Sequence, residues 1–483
     1  MYVLIEPKSP NYHIYSRFKL PRLGLAMLGT ILKELGHKVK LYLEEVADIS
    51  INNILKLKPK LVGLSTTTST APRAYEIGRK IAEAGIPVAY GGPHVTFLPD
   101  EAFEKGSASY VIRGEGEESF PKLVNALENG GSLEDILGLS FRREDGSIQH
   151  NAQASLIRDL DSLPSIDYSL IHGIEKMKIF PVLTSRGCPY DCTFCSVTKM
   201  FGRGYRYRST DKIITELKSI EETYPNLKSF FFYDDHFAAN RQRTKELLKA
   251  MLDTGIKTKW NAQVRQDVAR DPELLKLFKA TNCHTLYIGI ESINPETLKR
   301  YNKKQTLEDI ETNLSILQDH GFWRHCMFVF GADTDTVETI RETIKWTKRR
   351  DIETVQFLIL TPLPGTPDAA RLEAEGRIFD KDYSHYDAHH AVFEPKNMSA
   401  GQLARETYKA MRRFYSLPQA WKQVSSIIFN GMPIRRAFRR LKYRFGGRHL
   451  LIKWHSEYGH DYLRRLRKLG DKLLESISEE VVQ

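Results

Sequence analysis

Gly187-Cys188-Pro189-Tyr190-Asp191-Cys192-Thr193-Phe194-Cys195 carries three cysteines, separated by three residues and then by two. That spacing sets three thiolates on one tight loop around a common point. A closed structural zinc site takes four ligands, and no fourth Cys or His stands nearby in the sequence. The trio therefore points to a metal centre with one position open, a property of an iron-sulfur cube whose fourth iron lacks a protein ligand. Two blander readings stay open: three unrelated cysteines, or a zinc loop that borrows a distant ligand such as His236.

Outward from the loop, strand and helix patterns alternate from Phe180 to about residue 380. Strands are expected at Phe180–Thr184, Ser229–Tyr233, Lys259–Ala262, Thr285–Gly289, Cys326–Phe330 and Thr354–Leu358. In barrels built from such β/α units, chemistry gathers at the carboxyl ends of the strands, and the cysteine loop follows the first of them. Residues 1–138 show a separate alternation, with short strands at Tyr2–Glu6, Lys38–Leu43, Leu61–Ser65, Pro87–Tyr90 and Tyr110–Arg113. This predicts an α/β, doubly wound Rossmann-like sheet with ligand loops such as Gly91-Gly92-Pro93-His94 at its carboxyl edge. Residues 139–179 read as a hairpin turning at Asp145-Gly146 and a polar linker, and 381–483 as a helical basic region.

The cysteine loop resembles the cluster-binding signature of the radical SAM superfamily. The resemblance implies a partial (β/α)6 barrel and a 4Fe-4S cluster held by Cys188, Cys192 and Cys195. Its open iron would chelate S-adenosylmethionine, and reductive cleavage would yield a 5'-deoxyadenosyl radical that takes hydrogen from an unactivated carbon. It also implies places around that cofactor: Phe194 near the adenine, Asp234 and Asp235 at the amino group, Arg265 at the carboxylate and Glu291 at the ribose. Gly331 would let the backbone approach the adenosyl group, and the loop holding Thr361 would close one wall. Simpler readings of the same residues are a helix cap for the Asp pair and a salt bridge from Arg265 to Asp267 or Asp271.

Residues 1–138 resemble the cobalamin-binding domain that precedes the barrel in one radical SAM subfamily, on Gly91-Gly92-Pro93-His94 and Arg113-Gly114-Glu115-Gly116-Glu117. The resemblance assigns Ser65, Gly91, Gly92, His94 and Glu115 to cobalamin. No Asp-x-His-x-x-Gly occurs there, so either cobalamin binds without a histidine ligand or the domain only shapes the substrate cavity. The subfamily includes lipid-, hopanoid- and tetrapyrrole-modifying members, which implies a small lipophilic substrate. Methyl transfer follows if cobalamin binds, and cyclisation or carbon-carbon coupling if it does not. His389 or His390 would serve as a proton carrier or a structural pair.

The chain has 483 residues and a net charge of +11, yet residues 412–472 hold 16 Lys and Arg against three acids, so the remainder is −2. Between Pro433 and Phe445 apolar residues recur at helical steps among arginines, and Tyr462–Leu474 repeats the theme beside Trp421, Trp454 and Tyr458. An anionic membrane surface is the expected partner of this region, with packing on the barrel as the simpler reading. An electron donor such as a flavodoxin or ferredoxin is expected. Nucleic acid is not, since the N-terminal domain lacks the extra cysteines of RNA-methylthiolating relatives; a non-enzymatic cobalamin or redox sensor is the remaining alternative. Five cysteines and no long apolar run predict a cytoplasmic protein, peripheral at most on the inner membrane surface.

Overall fold

The computed structural model describes residues 1–11, 20–418 and 434–454, together with 462, 464 and 466. Among the described residues fifteen strands follow in chain order: β1 (Tyr2–Glu6), β2 (Val39–Leu43), β3 (Leu61–Ser65), β4 (Val88–Gly91), β5 (Tyr110–Ile112), β6 (Leu139–Arg142), β7 (Ile148–His150), β8 (Ile179–Val182), β9 (Ser185–Arg186), β10 (Arg206–Tyr207), β11 (Ser229–Phe232), β12 (Lys259–Val264), β13 (Cys283–Glu291), β14 (Arg324–Phe330) and β15 (Thr354–Ile359).

The first sheet runs β2-β1-β3-β4-β5-β6-β7, parallel from β2 to β5 and antiparallel from β5 onward. All five residues of β1 are buried, as a central parallel strand covered on both faces requires. The chain reverses direction across the sheet between β1 and β3, and doubly wound sheets bind ligands in the crevice at that point. The hairpin β6–β7 does turn at Asp145-Gly146, with Gly146 at φ +86°. It is hydrogen-bonded to β5, however, so the first sheet continues past residue 138 into this hairpin.

The second sheet is all parallel, in the order β15-β14-β13-β12-β11-β8, an open barrel of six strands. Helix ends are set locally: Asn240 caps Arg241–Asp253, Thr306 forms a capping box for Leu307–Asp319, and left-handed Gly130 ends Ser119–Asn129. On β1 the alternate residues Val3 and Ile5 face a core private to the first sheet. Tyr2 and Leu4 instead join a cluster that continues through Tyr168 to Phe180 and Phe230 of the barrel. The two sheets thus share a core, each fully buried Phe adding about 2–3 kcal/mol. That shared core fixes the carboxyl edge of the first sheet against the catalytic face of the second.

Candidate functional site

Strands β9 and β10 pair antiparallel, Arg206 opposite Arg186, and close the neck of the loop that carries the cysteines. The neck is tight. Gly187 lies at φ +86°, and a Cβ there would sit 2.3 Å from the Gly204 carbonyl oxygen. Inside the loop Cys195 N–H donates to the Cys192 carbonyl at 3.1 Å, and Thr193 exchanges backbone and side-chain bonds with Tyr301 and Asp368. Phe194 stands edge-on to Tyr301 with centroids 4.9 Å apart.

The three cysteines are free and partly buried. Burial pushes all three thiols up, Cys195 to about 12, so a metal bound here must displace protons. Among the described residues no three His, Cys, Asp or Glu side chains stand close enough to hold a single metal ion. A zinc ion with His236 as a borrowed ligand is therefore not built: His236 is buried, packs on the Tyr190 ring, and burial pushes its pKa down to about 3. Three thiols with no close fourth ligand fit a multi-iron cube, which accepts thiolates spaced around several metals.

Residues at the strand ends divide into two kinds. Asp234 is wholly buried and accepts bonds from the amides and hydroxyls of both Thr184 and Ser185, at 2.5–2.9 Å. Arg243 supports the same turn through the Thr184 hydroxyl and carbonyl. Asp234 thus shapes the turn that leads into β9, with both carboxylate oxygens held by that turn. Asp235 projects instead into the cavity described below, and burial, reinforced by Asp234, pushes its carboxyl up to about 7.

Arg265 is buried with its guanidinium 3.8 Å from the centre of the Tyr190 ring, and it donates to the carbonyls of Lys303 and Lys304. Its Nε lies 4.0 Å from Asp267, the simpler partner expected from sequence. Glu291, at φ +65°, holds Lys303 at 2.6 Å. Gly331, at φ +108°, donates its N–H to Asp335, and the Thr361 hydroxyl donates to the Ile359 carbonyl. Lys303, Tyr190 and Asp335 were not legible as site residues: Tyr190 meets Arg265 from far along the chain, while Lys303 and Asp335 act through the closer Glu291, Gly331 and Ala332.

A cavity of about 320 Å³ lies between the carboxyl edge of the first sheet and the cysteine-bearing ribbon. Ser65, Gly91, Gly92, Gly114 and Gly116 wall one side, aliphatic residues such as Leu4, Leu28 and Ile166 form its depth, and Ser185, Arg186, Tyr233 and Asp235 face them. Gly92 is at φ +98°, and a Cβ would meet the Thr66 carbonyl oxygen at 2.5 Å. A glycine-backbone cradle with an apolar floor, at the reversal point of the sheet, fits a large flat cofactor.

Two expected cofactor residues are engaged by protein partners. His94 is buried outside this cavity, 3.3 Å from Glu101 and edge-on to Tyr383, where it ties the helix Pro93–Phe97 to its neighbours. Glu115 lines the cavity but has both carboxylate oxygens taken by Arg186, Arg206 and the Ile157 amide. His390 is held by Asp387 and packs on Tyr462, a structural place.

Residues 182–347 match the radical SAM superfamily and residues 14–124 the B12 binding domain. An uncharacterised methyltransferase of Pyrococcus horikoshii is 32% identical over 87% of this chain and 93% of its own length. Bacteriochlorophyllide d C-12(1)-methyltransferase of Chlorobaculum tepidum is 30% identical over 77% of this chain and 80% of its own. Among solved structures, the cobalamin-dependent S-adenosylmethionine radical enzyme OxsB with aqua-cobalamin and S-adenosylmethionine bound superposes with a TM-score of 0.71 at 18% identity. That likeness covers 99% of this chain and 80% of OxsB, and at this identity it shows a shared fold. The chain belongs to the radical SAM superfamily, as an enzyme of its methylase and cyclase branch with a B12 binding domain, and its cofactors are a 4Fe-4S cluster, S-adenosylmethionine and cobalamin.

Proposed function

We propose that the protein transfers a methyl group to an unactivated carbon of a small lipophilic molecule. The observation that carries this reading is a cavity bounded both by the glycine wall of the B12 domain and by the ribbon holding the cysteines. When bound, the cluster with S-adenosylmethionine supplies hydrogen abstraction and cobalamin supplies a transferable methyl group. The chain itself contributes exclusion of water through its aliphatic depth, and Asp235 offers a carboxyl that holds or releases a proton near neutral pH. The three cysteines, Arg265 and Glu291 are proposed to hold the cluster and S-adenosylmethionine.

An anionic membrane surface is the proposed source of the substrate. On the helix Ile434–Trp454, Tyr443 packs on Trp323, Gly447 lies against Tyr415 and Leu451 packs on the core. On its opposite face Lys442, Phe445, His449 and Ile452 are exposed. The expectations for Trp421 and Tyr458, for most of 462–474, and for the side chains of Arg435, Arg436, Arg439, Arg440 and Trp454 lie outside the described residues. No helix of the described residues is long and apolar enough to cross a membrane. We place the protein in the cytoplasm, with a flavodoxin or ferredoxin as its reductant.

Anaerobic protein loaded with iron, sulfide and hydroxocobalamin, given reductant, methyl-labelled S-adenosylmethionine and a lipid extract, tests the reading. It predicts label in the organic phase. Formation of 5'-deoxyadenosine with no transferred label would favour cyclisation or coupling, and neither product would leave only a sensor.

A further inference from the structure

The interface between the two sheets contains a buried ionic cluster that the proposed chemistry leaves unused. Arg186 immediately precedes Gly187 and Cys188, and Arg206 stands opposite it on β10. Both guanidinium groups reach across to the loop after β5 in the B12 domain. Glu115 accepts from Arg186 Nη1 at 3.0 Å and from Arg206 Nη1 and Nη2, each at 2.9 Å. Glu117 accepts from Arg186 Nη2. The Ile157 amide donates to Glu115 at 2.7 Å, and Arg206 also donates to the carbonyls of Ile157 and Phe201. These four side chains are between 1% and 12% exposed.

Two cations and two anions make the cluster neutral, and bidentate geometry fixes angle as well as distance. Buried pairs of this kind are poor sources of net stability, since desolvation offsets attraction, but they specify one arrangement over its neighbours. The location is the informative part. A bond that merely joined the two sheets would serve anywhere along their shared apolar core. This one grips both strands at the neck of the cysteine loop, and its other end lies between Gly114 and Gly116, residues that wall the cavity.

We propose that Glu115 and Glu117, acting through Arg186 and Arg206, are positioning residues that set the cysteine loop at one distance and orientation from the ligand held by the B12 domain. The proposal rests on the functional reading above, in that it needs both cofactors in one chain. Its consequence is geometric: weakening the clamp leaves each cofactor bound but lets their separation vary.

Glu117→Gln removes one charge and keeps an acceptor, and Arg186→Lys keeps the charge and removes the fork; the second variant serves if the first fails to fold. Each is loaded with cluster and cobalamin, reduced so that both centres are paramagnetic, and examined by pulsed dipolar spectroscopy. Amide exchange over residues 187–205 is measured in parallel. The expected result, read on molecules that carry both cofactors, is a broadened distance distribution, with exchange in that loop about tenfold faster than in the wild type. A narrow distribution identical to the wild type, with unchanged exchange, would overturn the proposal even if melting temperature fell. Failure of the wild type itself to take up cobalamin would strike the functional reading, and the exchange measurement would then decide the clamp alone.

Discussion

The guanidinium of Arg265 lies 3.8 Å from the centre of the Tyr190 ring, so that a strand-end arginine of the barrel is stacked on a residue between the first two cysteines. The contact joins two parts of the site separated by a long stretch of chain. A buried cation over an aromatic face is worth about 2 kcal/mol, and its loss falls on the order of the loop rather than on the barrel.

Tyr190→Leu should therefore leave folding intact while loosening the cluster. Iron loss to a chelator under anaerobic conditions is expected to accelerate by roughly tenfold, and Tyr190→Phe to stay near wild type, because the ring face is retained.

Asp234→Ala should act on stability first. It strands the buried amides and hydroxyls of Thr184 and Ser185, a change that costs about 1–3 kcal/mol for each donor left without a partner. Urea denaturation with unchanged slope and a lower midpoint would check it, and Asp234→Asn should lose less.

Gly92→Ala places a Cβ 2.5 Å from the Thr66 carbonyl oxygen at a backbone angle unsuited to alanine. A cost of about 1–3 kcal/mol and a marked loss of cobalamin uptake are expected, read by thermal melting and by absorbance after gel filtration.

Asp335 supplies a pH dependence with a definite sign. Burial pushes its carboxyl from the ordinary 3.8 up to about 6, while Thr297 and the amides of Gly331 and Ala332 partly oppose the shift. The folded state then holds the proton more tightly than the unfolded chain. Its contribution is fully present below about pH 4 and falls by about 3 kcal/mol in all as pH rises through 6. Asp335→Asn should flatten that fall in denaturation curves measured across this window.

The outer face of the C-terminal helix gives a membrane test that spares the fold. Phe445→Glu with Ile452→Glu changes only exposed positions, whereas truncation would also remove Tyr462, which donates to the Ala391 carbonyl. Flotation with anionic vesicles should drop several-fold in the double variant and show little binding to neutral vesicles at either sequence. Equal flotation of wild type and variant would remove this surface from the account.

What could be read in the sequence was whatever is local. The three cysteines lie within one loop, and the parallel strands announce themselves by short apolar runs punctuated by glycine and proline, whereas the two-residue strands Ser185–Arg186 and Arg206–Tyr207 do not. The hairpin at Asp145-Gly146 was legible too, but its attachment to β5 was not, since pairing partners leave no mark in a single strand. Contacts made by partners distant in the chain were the ones not legible. Asp234 reads as a ligand-facing carboxylate until Thr184 and Ser185 are seen around it, and Glu115 as a cofactor contact until two arginines from β9 and β10 reach it. His94 looks poised on a glycine loop, yet the turn at Gly92 drives it inward onto Glu101.

The central claim is that Cys188, Cys192 and Cys195 hold a four-iron cluster with one iron open to S-adenosylmethionine. Electron paramagnetic resonance of the reduced, anaerobically reconstituted protein, with and without S-adenosylmethionine, tests it most directly. The account predicts a cluster signal that changes shape on adding the sulfonium compound and disappears when any one of the three cysteines is replaced by alanine. A protein that assembles no cluster, or one whose signal ignores the added compound, would contradict it.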